Sequence, residues 1–189
     1  MTQSEPPVSP PAPALRPLAA QSSESSMQSG LAEWAAAMVG VRAAADGDPL
    51  PPHSSHCAGC GPANEASIGL RASKSASGVR AFHTFDDRQV GAPGIAHGGL
   101  VATVFDDLFG FVLYTVEALA VTRSITVDYL APFRLHEEYR FEAHIETRVG
   151  RRIQMKAEAR DGHGQLVGRA VATFVAVGID HFEPRRVGH

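Results

Sequence analysis

Apolar side chains follow one another almost without interruption in the middle of this chain. The stretch opens at Gly91 as a glycine-rich loop, GAPG, and continues as His97-Gly98-Gly99. The residues that follow leave no continuous polar face: Leu100, Val101, Val104, Phe105, Leu108, Phe111, Val112 and Leu113. Because a helix that is hydrophobic on all sides is a buried helix, the pattern predicts a helix at the centre of the fold.

After this helix the apolar period changes to two, which is typical of strands. The alternation predicts four strands, over residues 121–133, 139–149, 153–160 and 166–177. In the first of them, Val121, Arg123 and Ile125 are expected on one side. The last is apolar on both faces and is expected to lie in the middle of the sheet, covered on both sides. Before the helix, alternation over residues 79–85 predicts one more strand.

Short turns at Gly150-Arg151 and at 161–164 (DGHG) separate the later strands. Strands joined by short turns are antiparallel. One helix with an antiparallel sheet is an α+β arrangement, in which the sheet must curl around the helix to bury it.

The rest of the chain predicts flanking segments around one main domain. Residues 1–27 are rich in Pro, Ser and Ala and predict a disordered tail. Residues 28–56 predict an N-terminal helix, over 29–45, and a linker. The main domain is expected over 57–180, followed by a tail over 181–189.

Composition excludes several partners. The net charge of −3 gives no basic surface for nucleic acid. The longest apolar run, around residues 109–114, is far shorter than the roughly 20 residues of a membrane span. Two cysteines cannot make a disulfide framework, and no signal-peptide pattern opens the sequence, so a cytoplasmic protein is predicted.

The segment HSSHCAGCG, at 53–61, carries metal-ligand side chains. A zinc site would use His53, His56, Cys57 and Cys60, although four ligands within eight residues are closer than in the usual zinc knuckles. A redox cysteine pair is a second interpretation. The favoured interpretation is a turn whose cysteines pack inside, and no metal is predicted.

The central helix offers groups for acyl chemistry. Gly98 and Gly99 leave the backbone N–H groups of the first turn open to a ligand oxygen, as in an oxyanion hole. Asp106 supplies a carboxylate, as nucleophile or as general base for water. Ordinary structural roles compete with both assignments, because glycine pairs also serve as tight helix entries and buried aspartates as network charges.

Spacing along the helix adds a constraint. His97 and Asp106 are nine positions apart, which is about 13 Å at about 1.5 Å per residue. One carbonyl can therefore meet the helix start and the carboxylate only if they come from two copies of the helix, related by a twofold axis. The chemistry predicts a homodimer.

Three segments resemble one known family. GIAHGGLVATVFDD resembles the signature of hotdog-fold acyl-CoA thioesterases of the PaaI-like group, in which an Asp follows the His of HGG by nine residues. The upstream segment from Cys57-Ala58-Gly59-Cys60-Gly61-Pro62 to Gly69-Leu70, and the downstream VTRSITVDYLAPF, are also similar to segments of the family. The resemblance covers roughly residues 57–178 and implies a hotdog fold.

The resemblance also implies roles for single residues. Gly98 or Gly99 would polarise the thioester carbonyl through its N–H, and Asp106 would be the catalytic carboxylate. His97 would orient the substrate or the helix entry, and Thr122 would hydrogen-bond the water or the acid. Asp107 has no counterpart role and is treated as secondary.

Two further assignments concern substrate binding. Several relatives carry an Asn six residues before the His, where this chain has Gly91, and Gln89 is expected to substitute for it. Arg151 and Arg152 are candidates for holding the phosphates of CoA, with a solvated hairpin tip as the alternative.

The predicted protein is thus a hotdog acyl-CoA thioesterase of fatty acid metabolism that uses no cofactor. Its substrate is expected to be an acyl-CoA or an acyl-carrier thioester, and its homodimer is expected to form a tetramer or larger assembly. A hotdog hydratase or dehydratase is one alternative, which would need a His some five residues after the Asp. A non-catalytic acyl-CoA binder is the other.

Overall fold

The structure, a computed structural model, describes residues 23–182. Two helices, α1 (Ser23–Met38) and α2 (Gly98–Tyr114), accompany eight strands. The strands are β1 (Arg71–Ser75), β2 (Gly78–Thr84), β3 (Val90–Ala92), β4 (Ile95–Ala96), β5 (Ala120–Tyr129), β6 (Glu138–Val149), β7 (Arg152–Arg160) and β8 (Leu166–Ala176). In the described residues, no helix is both long and apolar enough to cross a membrane.

Six strands form one antiparallel sheet in the order β1-β2-β6-β7-β8-β5. The central helix α2 contacts β2, β5, β6, β7 and β8, so it lies across the sheet rather than beside it. The short strands β3 and β4 pair with each other just before α2. The predicted α+β fold with a buried central helix is therefore confirmed.

The core lies between α2 and the inner face of the sheet. Phe105 on α2 and Phe141 on β6 are fully buried, with ring centroids 5.2 Å apart. Phe109 on α2 packs similarly against Phe174 on β8, at 6.3 Å. Burying one such side chain contributes about 1.5–3 kcal/mol, so contacts of this kind fix the position of α2 on the sheet.

The strand prediction missed β1, the short strands β3 and β4, and one crossing connection. Where a single strand was expected before α2, β1 and β2 form a hairpin, because the polar sequence RASKS of β1 gives no apolar alternation. β5 pairs with β8 and not with the next strand in sequence, β6, so residues 130–137 are a crossing connection and not a hairpin turn.

Two predictions about strand faces were wrong. β8 lies between β7 and β5 as expected, but within one chain its outer face is open, and Val171 is 48% exposed. In β5 the pairing with β8 shifts between Thr122 and Ser124, so the expected alternation through Arg123 is interrupted by a bulge.

The N-terminal helix begins and ends earlier than the predicted range of 29–45. It ends at Met38 because Gly40 adopts a left-handed conformation with φ 83°, and a 3-10 turn at Val41–Ala43 follows. The predicted disordered tail lies outside the described residues up to residue 22, and α1 includes its last five residues. The C-terminal tail lies outside them from residue 183, and the domain boundaries stay predictions.

Candidate active site

The start of α2 is capped by its own histidine. His97 is the N-cap residue, and its Nδ1 accepts a hydrogen bond of 3.0 Å from the Gly99 N–H. The His97 N–H donates to the Gln89 carbonyl at 2.8 Å, and a Cβ at Gly91 would lie 2.6 Å from His97 Cα. This close approach explains why position 91 carries a glycine.

The histidine cap makes the N–H groups of Gly98 and Gly99 different. The Gly99 N–H is occupied by His97 Nδ1, whereas the Gly98 N–H has no acceptor among the described residues. The Tyr129 hydroxyl donates to the Gly98 carbonyl at 2.6 Å and so holds the first turn from the end of β5. Sequence reasoning missed Tyr129, because no spacing pattern links a strand end to a helix start.

Asp106 lies on α2, eight residues after Gly98, and is partly buried. Its Oδ1 accepts a hydrogen bond of 2.9 Å from Thr122 Oγ1 on β5. Burial raises the pKa of Asp106 above its ordinary value, and the Thr122 hydrogen bond acts in the opposite direction. The structure thus brings together the two residues to which the resemblance assigns the acid and its hydroxyl partner.

A mostly apolar cavity of about 490 Å³ opens beside Asp106. Its polar lining residues include Asp106, Asp107, Thr122, His53 and Cys57. Its apolar walls include Leu31, Trp34, Leu113, Val121, Phe174 and Phe182. A carboxylate beside an apolar cavity of this size is the usual composition of a small-molecule site.

Asp107, which also lines the cavity, contacts the loop at residues 53–61. Its Oδ1 lies 3.0 Å from His53 Nδ1 and accepts from Cys57 Sγ at 3.3 Å. Cys60 Sγ lies 3.2 Å from the same His53 nitrogen. These four side chains, named here the His-Cys-Asp cluster (His53, Cys57, Cys60, Asp107), hold the loop against α2.

The cluster shifts the pKa values of its members. Burial lowers the pKa of His53, but hydrogen bonds with Asp107 and Cys57 outweigh it and raise that pKa to about 9. Burial raises the pKa of Asp107 despite its His53 partner. A hydrogen bond between the thiols lowers the pKa of Cys57 and raises that of Cys60.

The zinc ligand set considered in the sequence analysis contains His56 in place of Asp107 and otherwise matches this cluster. His56 is exposed, and its Nδ1 lies 3.1 Å from the Ser55 hydroxyl. The fourth member of the cluster is instead Asp107, to which the sequence analysis gave only a secondary role. The sequence signal for it was weak, since 47 residues separate it from Cys60 and only the fold brings them together.

The predicted substrate-binding residues lie elsewhere. Gln89 is 7% exposed, and its Oε1 accepts from the Asp86 N–H in a capping box; that it replaces the Asn of relatives stays a prediction. Arg151 and Arg152 are exposed and do not line the Asp106 cavity. Arg151 Nε instead donates to the Ala176 carbonyl at 3.1 Å.

Comparison with known families places this geometry in context. The model of the thioesterase superfamily matches residues 93–168, which include the start of α2, Asp106 and Thr122. The chain has the hotdog fold of the thioesterase superfamily. The predicted hotdog fold and the predicted resemblance to thioesterases are thereby confirmed. No curated protein matches the chain significantly.

Several solved structures are similar. One is a thioesterase superfamily protein, 25% identical with a TM-score of 0.61; the match covers 64% of this chain and 60% of that one, so this chain spans less than two thirds of it. The PaaI protein of the E. coli phenylacetic acid degradation operon is 16% identical, with a TM-score of 0.54, and 57% and 83% of the two chains are covered. A Streptococcus mutans protein bound to acetyl-CoA is 21% identical, with a TM-score of 0.55, and 58% and 89% are covered.

Proposed function

We propose that the protein is an acyl-CoA thioesterase with its active site between two copies of the chain. The observation that supports this most is the pairing of Asp106 with Thr122 at the wall of a mostly apolar cavity, within the segment that matches the superfamily. The cavity would take the acyl group, and the carboxylate would stand at its polar end. The similar Streptococcus mutans protein was solved with acetyl-CoA, which supports a CoA thioester as the substrate class.

The helix start would supply the electrophilic half of the site. The Gly98 N–H lacks an acceptor among the described residues, so it is available to bind the thioester oxygen as negative charge develops there. The Gly99 N–H is occupied by His97, which gives His97 the role of shaping the turn. These geometric differences favour Gly98 over Gly99 as the donor.

Asp106 would act on the other side of the carbonyl carbon. It either takes a proton from water as the water adds, or it attacks the carbon itself and is released by water in a second step. In both routes the C–S bond breaks, the thiolate of CoA leaves and takes up a proton, and the acyl group is released as a carboxylic acid. Thr122 would hold the reacting carboxylate in one orientation.

The two halves would meet across a dimer. Within one helix, Gly98 and Asp106 are separated by eight residues, or about 12 Å at 1.5 Å per residue, which is too far for one carbonyl. β5, which carries Thr122, is a ten-residue edge strand of the sheet, and its outer side has no partner strand within residues 23–182. Pairing of this edge with a second copy would bring the two helices together.

The experiment is a thiol-release assay with short, long and aromatic acyl-CoAs, run on wild type and Asp106→Asn. We expect hydrolysis by wild type and a loss of about 10²–10⁴-fold in kcat in the variant, with acyl-CoA binding retained. Equal turnover by both proteins would contradict the assigned role of Asp106. Binding without hydrolysis by either would favour the non-catalytic acyl-CoA binder.

A further inference from the structure

The His-Cys-Asp cluster has more close contacts than hydrogen bonding can satisfy. His53 Nδ1 has Asp107 Oδ1 at 3.0 Å, Cys60 Sγ at 3.2 Å and Cys57 Sγ at 4.0 Å. A ring nitrogen carries one proton or one lone pair and can serve one of these neighbours at a time. Cys57 Sγ competes for the same Asp107 oxygen at 3.3 Å. The four donor atoms therefore converge on a common point.

A second observation concerns Asp107 alone. Its side chain is 7% exposed, and its Oδ2 is buried with no hydrogen-bond partner among the described residues. Keeping a carboxylate buried is costly unless a cation or several donors compensate it. No lysine or arginine forms an ion pair with Asp107 in the described part of the chain, where the imidazole of His53 is the one basic group bridged to it.

We propose that His53 Nδ1, Cys57 Sγ, Cys60 Sγ and a carboxylate oxygen of Asp107 bind a structural zinc ion. All four atoms lie within 4.8 Å of one another. Tetrahedral zinc, with bonds of about 2.0–2.3 Å, places its ligand atoms about 3.3–3.8 Å apart, close to the separations observed here. One cation at the centre would satisfy every lone pair that now competes.

The ligand types select the metal. Two thiolates with one imidazole suit zinc and disfavour magnesium and calcium, which prefer oxygen. Four protein ligands complete a tetrahedron and leave no open position for a water or a substrate, which is the arrangement of a structural site. Cys57 and Cys60 also have the C-x-x-C spacing of a zinc knuckle, and the Gly61 N–H donates to the Cys57 carbonyl at 2.9 Å to close that turn.

Two glycines leave room for this arrangement. A Cβ at Gly59 would collide with the Asp107 carboxylate, and a Cβ at Gly110 would lie 2.7 Å from the His53 ring. The His53 N–H donates to Cys60 Sγ at 3.3 Å, a bond that would also stabilise a metal-bound thiolate. The surrounding backbone thus allows the four side chains to approach closely.

The cluster is poorly arranged for the two other chemistries its residues suggest. A nucleophilic cysteine would need a base with one ring nitrogen on the thiol and the other on the orienting acid. Here both thiols and the carboxylate face Nδ1, while Nε2 is buried with no partner among the described residues. A disulfide between Cys57 and Cys60 would remove the Cys57 thiol that donates to Asp107 Oδ1 and would still leave Asp107 Oδ2 without a partner among the described residues.

The zinc ion would fasten the wall of the cavity to the central helix. Its loop ligands His53 and Cys57 line the cavity, and its helix ligand precedes Leu108 and directly follows Asp106. The proposal extends beyond the thioesterase function and does not depend on it. A chain that binds zinc here and hydrolyses nothing would still support it.

The first test is elemental analysis of the full chain, purified under reducing conditions without chelator, together with cobalt substitution. We expect about one zinc ion per chain. After removal of zinc, Co²⁺ should give the visible absorption of a tetrahedral site and a thiolate-to-metal charge-transfer band. Because these readouts use the wild-type protein, they do not depend on whether a variant folds.

Variants then locate the site. Cys60→Ser, Cys57→Ser and His53→Gln should each weaken zinc binding by more than about 10–100-fold, the loss typical of disturbing even an outer partner of a metal ligand. His56→Gln, in the same loop but outside the cluster, is the matched control and should keep zinc and the cobalt spectrum. Absence of zinc together with failure of the reduced chain to bind Co²⁺ would overturn the proposal. So would a Cys57–Cys60 disulfide in the protein as isolated, or zinc that persists in Cys60→Ser.

Discussion

Two faces of one helix use neighbouring carboxylates for different purposes. Asp106 meets a single hydroxyl, from Thr122, and borders the cavity. Asp107, the next residue, meets an imidazole and a thiol and is nearly excluded from solvent. Consecutive residues on a helix point about 100° apart, so adjacency in sequence puts the two acids into different surroundings.

The difference indicates which acid can react. A general base or nucleophile needs an oxygen that substrate or water can reach. Both acids line the cavity, but Asp106 has one oxygen without a side-chain partner among the described residues, whereas the Asp107 side chain is 7% exposed and contacts His53 and Cys57 of the loop. This fits the proposed roles, in which Asp106 reacts and Asp107 holds the site in shape, and variants can separate the two.

After Asp106→Asn, the largest expected effect comes from removing the Gly98 N–H. Gly98→Pro deletes that donor at the first helical position, where proline is well tolerated, and the preceding His97 already has φ −66° and ψ 126°, which suit a residue before proline. We expect kcat for acyl-CoA hydrolysis to fall about 10²–10³-fold, the loss typical of one oxyanion donor. Steady-state thiol release measures it.

Gly98→Ala is the matched control, because it keeps the N–H and its Cβ would make an ordinary contact 3.5 Å from the Tyr129 ring. Hybrid dimers of Gly98→Pro with Asp106→Asn add a test of the shared site. If each site takes Gly98 from one copy and Asp106 from the other, a hybrid contains one intact site, and mixing should restore activity. A mixture that stays inactive would contradict a site shared between copies.

The next largest effect is expected on thermal stability, through Asp107 on the other face of α2. Asp107→Asn should abolish the stabilisation of the fold by zinc, which at a free zinc concentration 100 times its Kd is about 2.7 kcal/mol. For a chain of this size that corresponds to a decrease in Tm of about 5–10 °C. Asp106→Asn should keep the zinc-dependent increase in Tm. The two neighbouring substitutions would therefore change different quantities, turnover for Asp106→Asn and thermal stability for Asp107→Asn. If a chelator lowered the Tm of Asp107→Asn as much as that of wild type, Asp107 would not be a ligand.

Much of the fold could be predicted from the sequence because burial imposes a period on it. The apolar run of α2 and the alternation of β6 and β7 gave the right elements, since each is covered by the core. β1 was missed because a short polar edge strand has no such period. The open face of β8 was missed because apolar residues on two faces do not say whether one chain covers both.

The candidate site divides in the same way. Asp106 and the helix start were found through motif spacing, because their residues are close in sequence. The contacts of Asp107 with His53 and Cys57, and of Tyr129 with Gly98, arise only from the tertiary structure. The zinc ligand set considered from the sequence was drawn from one loop only. It therefore included His56, a neighbouring histidine that is exposed to solvent.

A smaller effect tests the close packing of the Asp107 face. Gly59→Ala would place a methyl group against the Asp107 carboxylate, and overpacking of this kind typically costs about 1–3 kcal/mol. Chemical denaturation should show this loss of unfolding free energy. Gly162→Ala, at a turn where a Cβ meets nothing within 4 Å, is the control and should change little. Equal stability of the two variants would mean that Asp107 moves away from Gly59 at no cost.

The smallest predicted effect concerns the hydroxyl that holds Asp106. Thr122→Val removes the 2.9 Å hydrogen bond but keeps the shape of the side chain, so the carboxylate loses its fixed orientation while the cavity keeps its volume. A hydrogen bond to a charged group contributes about 1.5 kcal/mol or more, so kcat should fall about tenfold. Thr122→Ser retains the hydroxyl and should stay near wild type, which separates the hydrogen bond from the packing of β5. If both variants lost activity equally, the contribution of Thr122 would lie in packing at the edge of the sheet and not in orienting the acid.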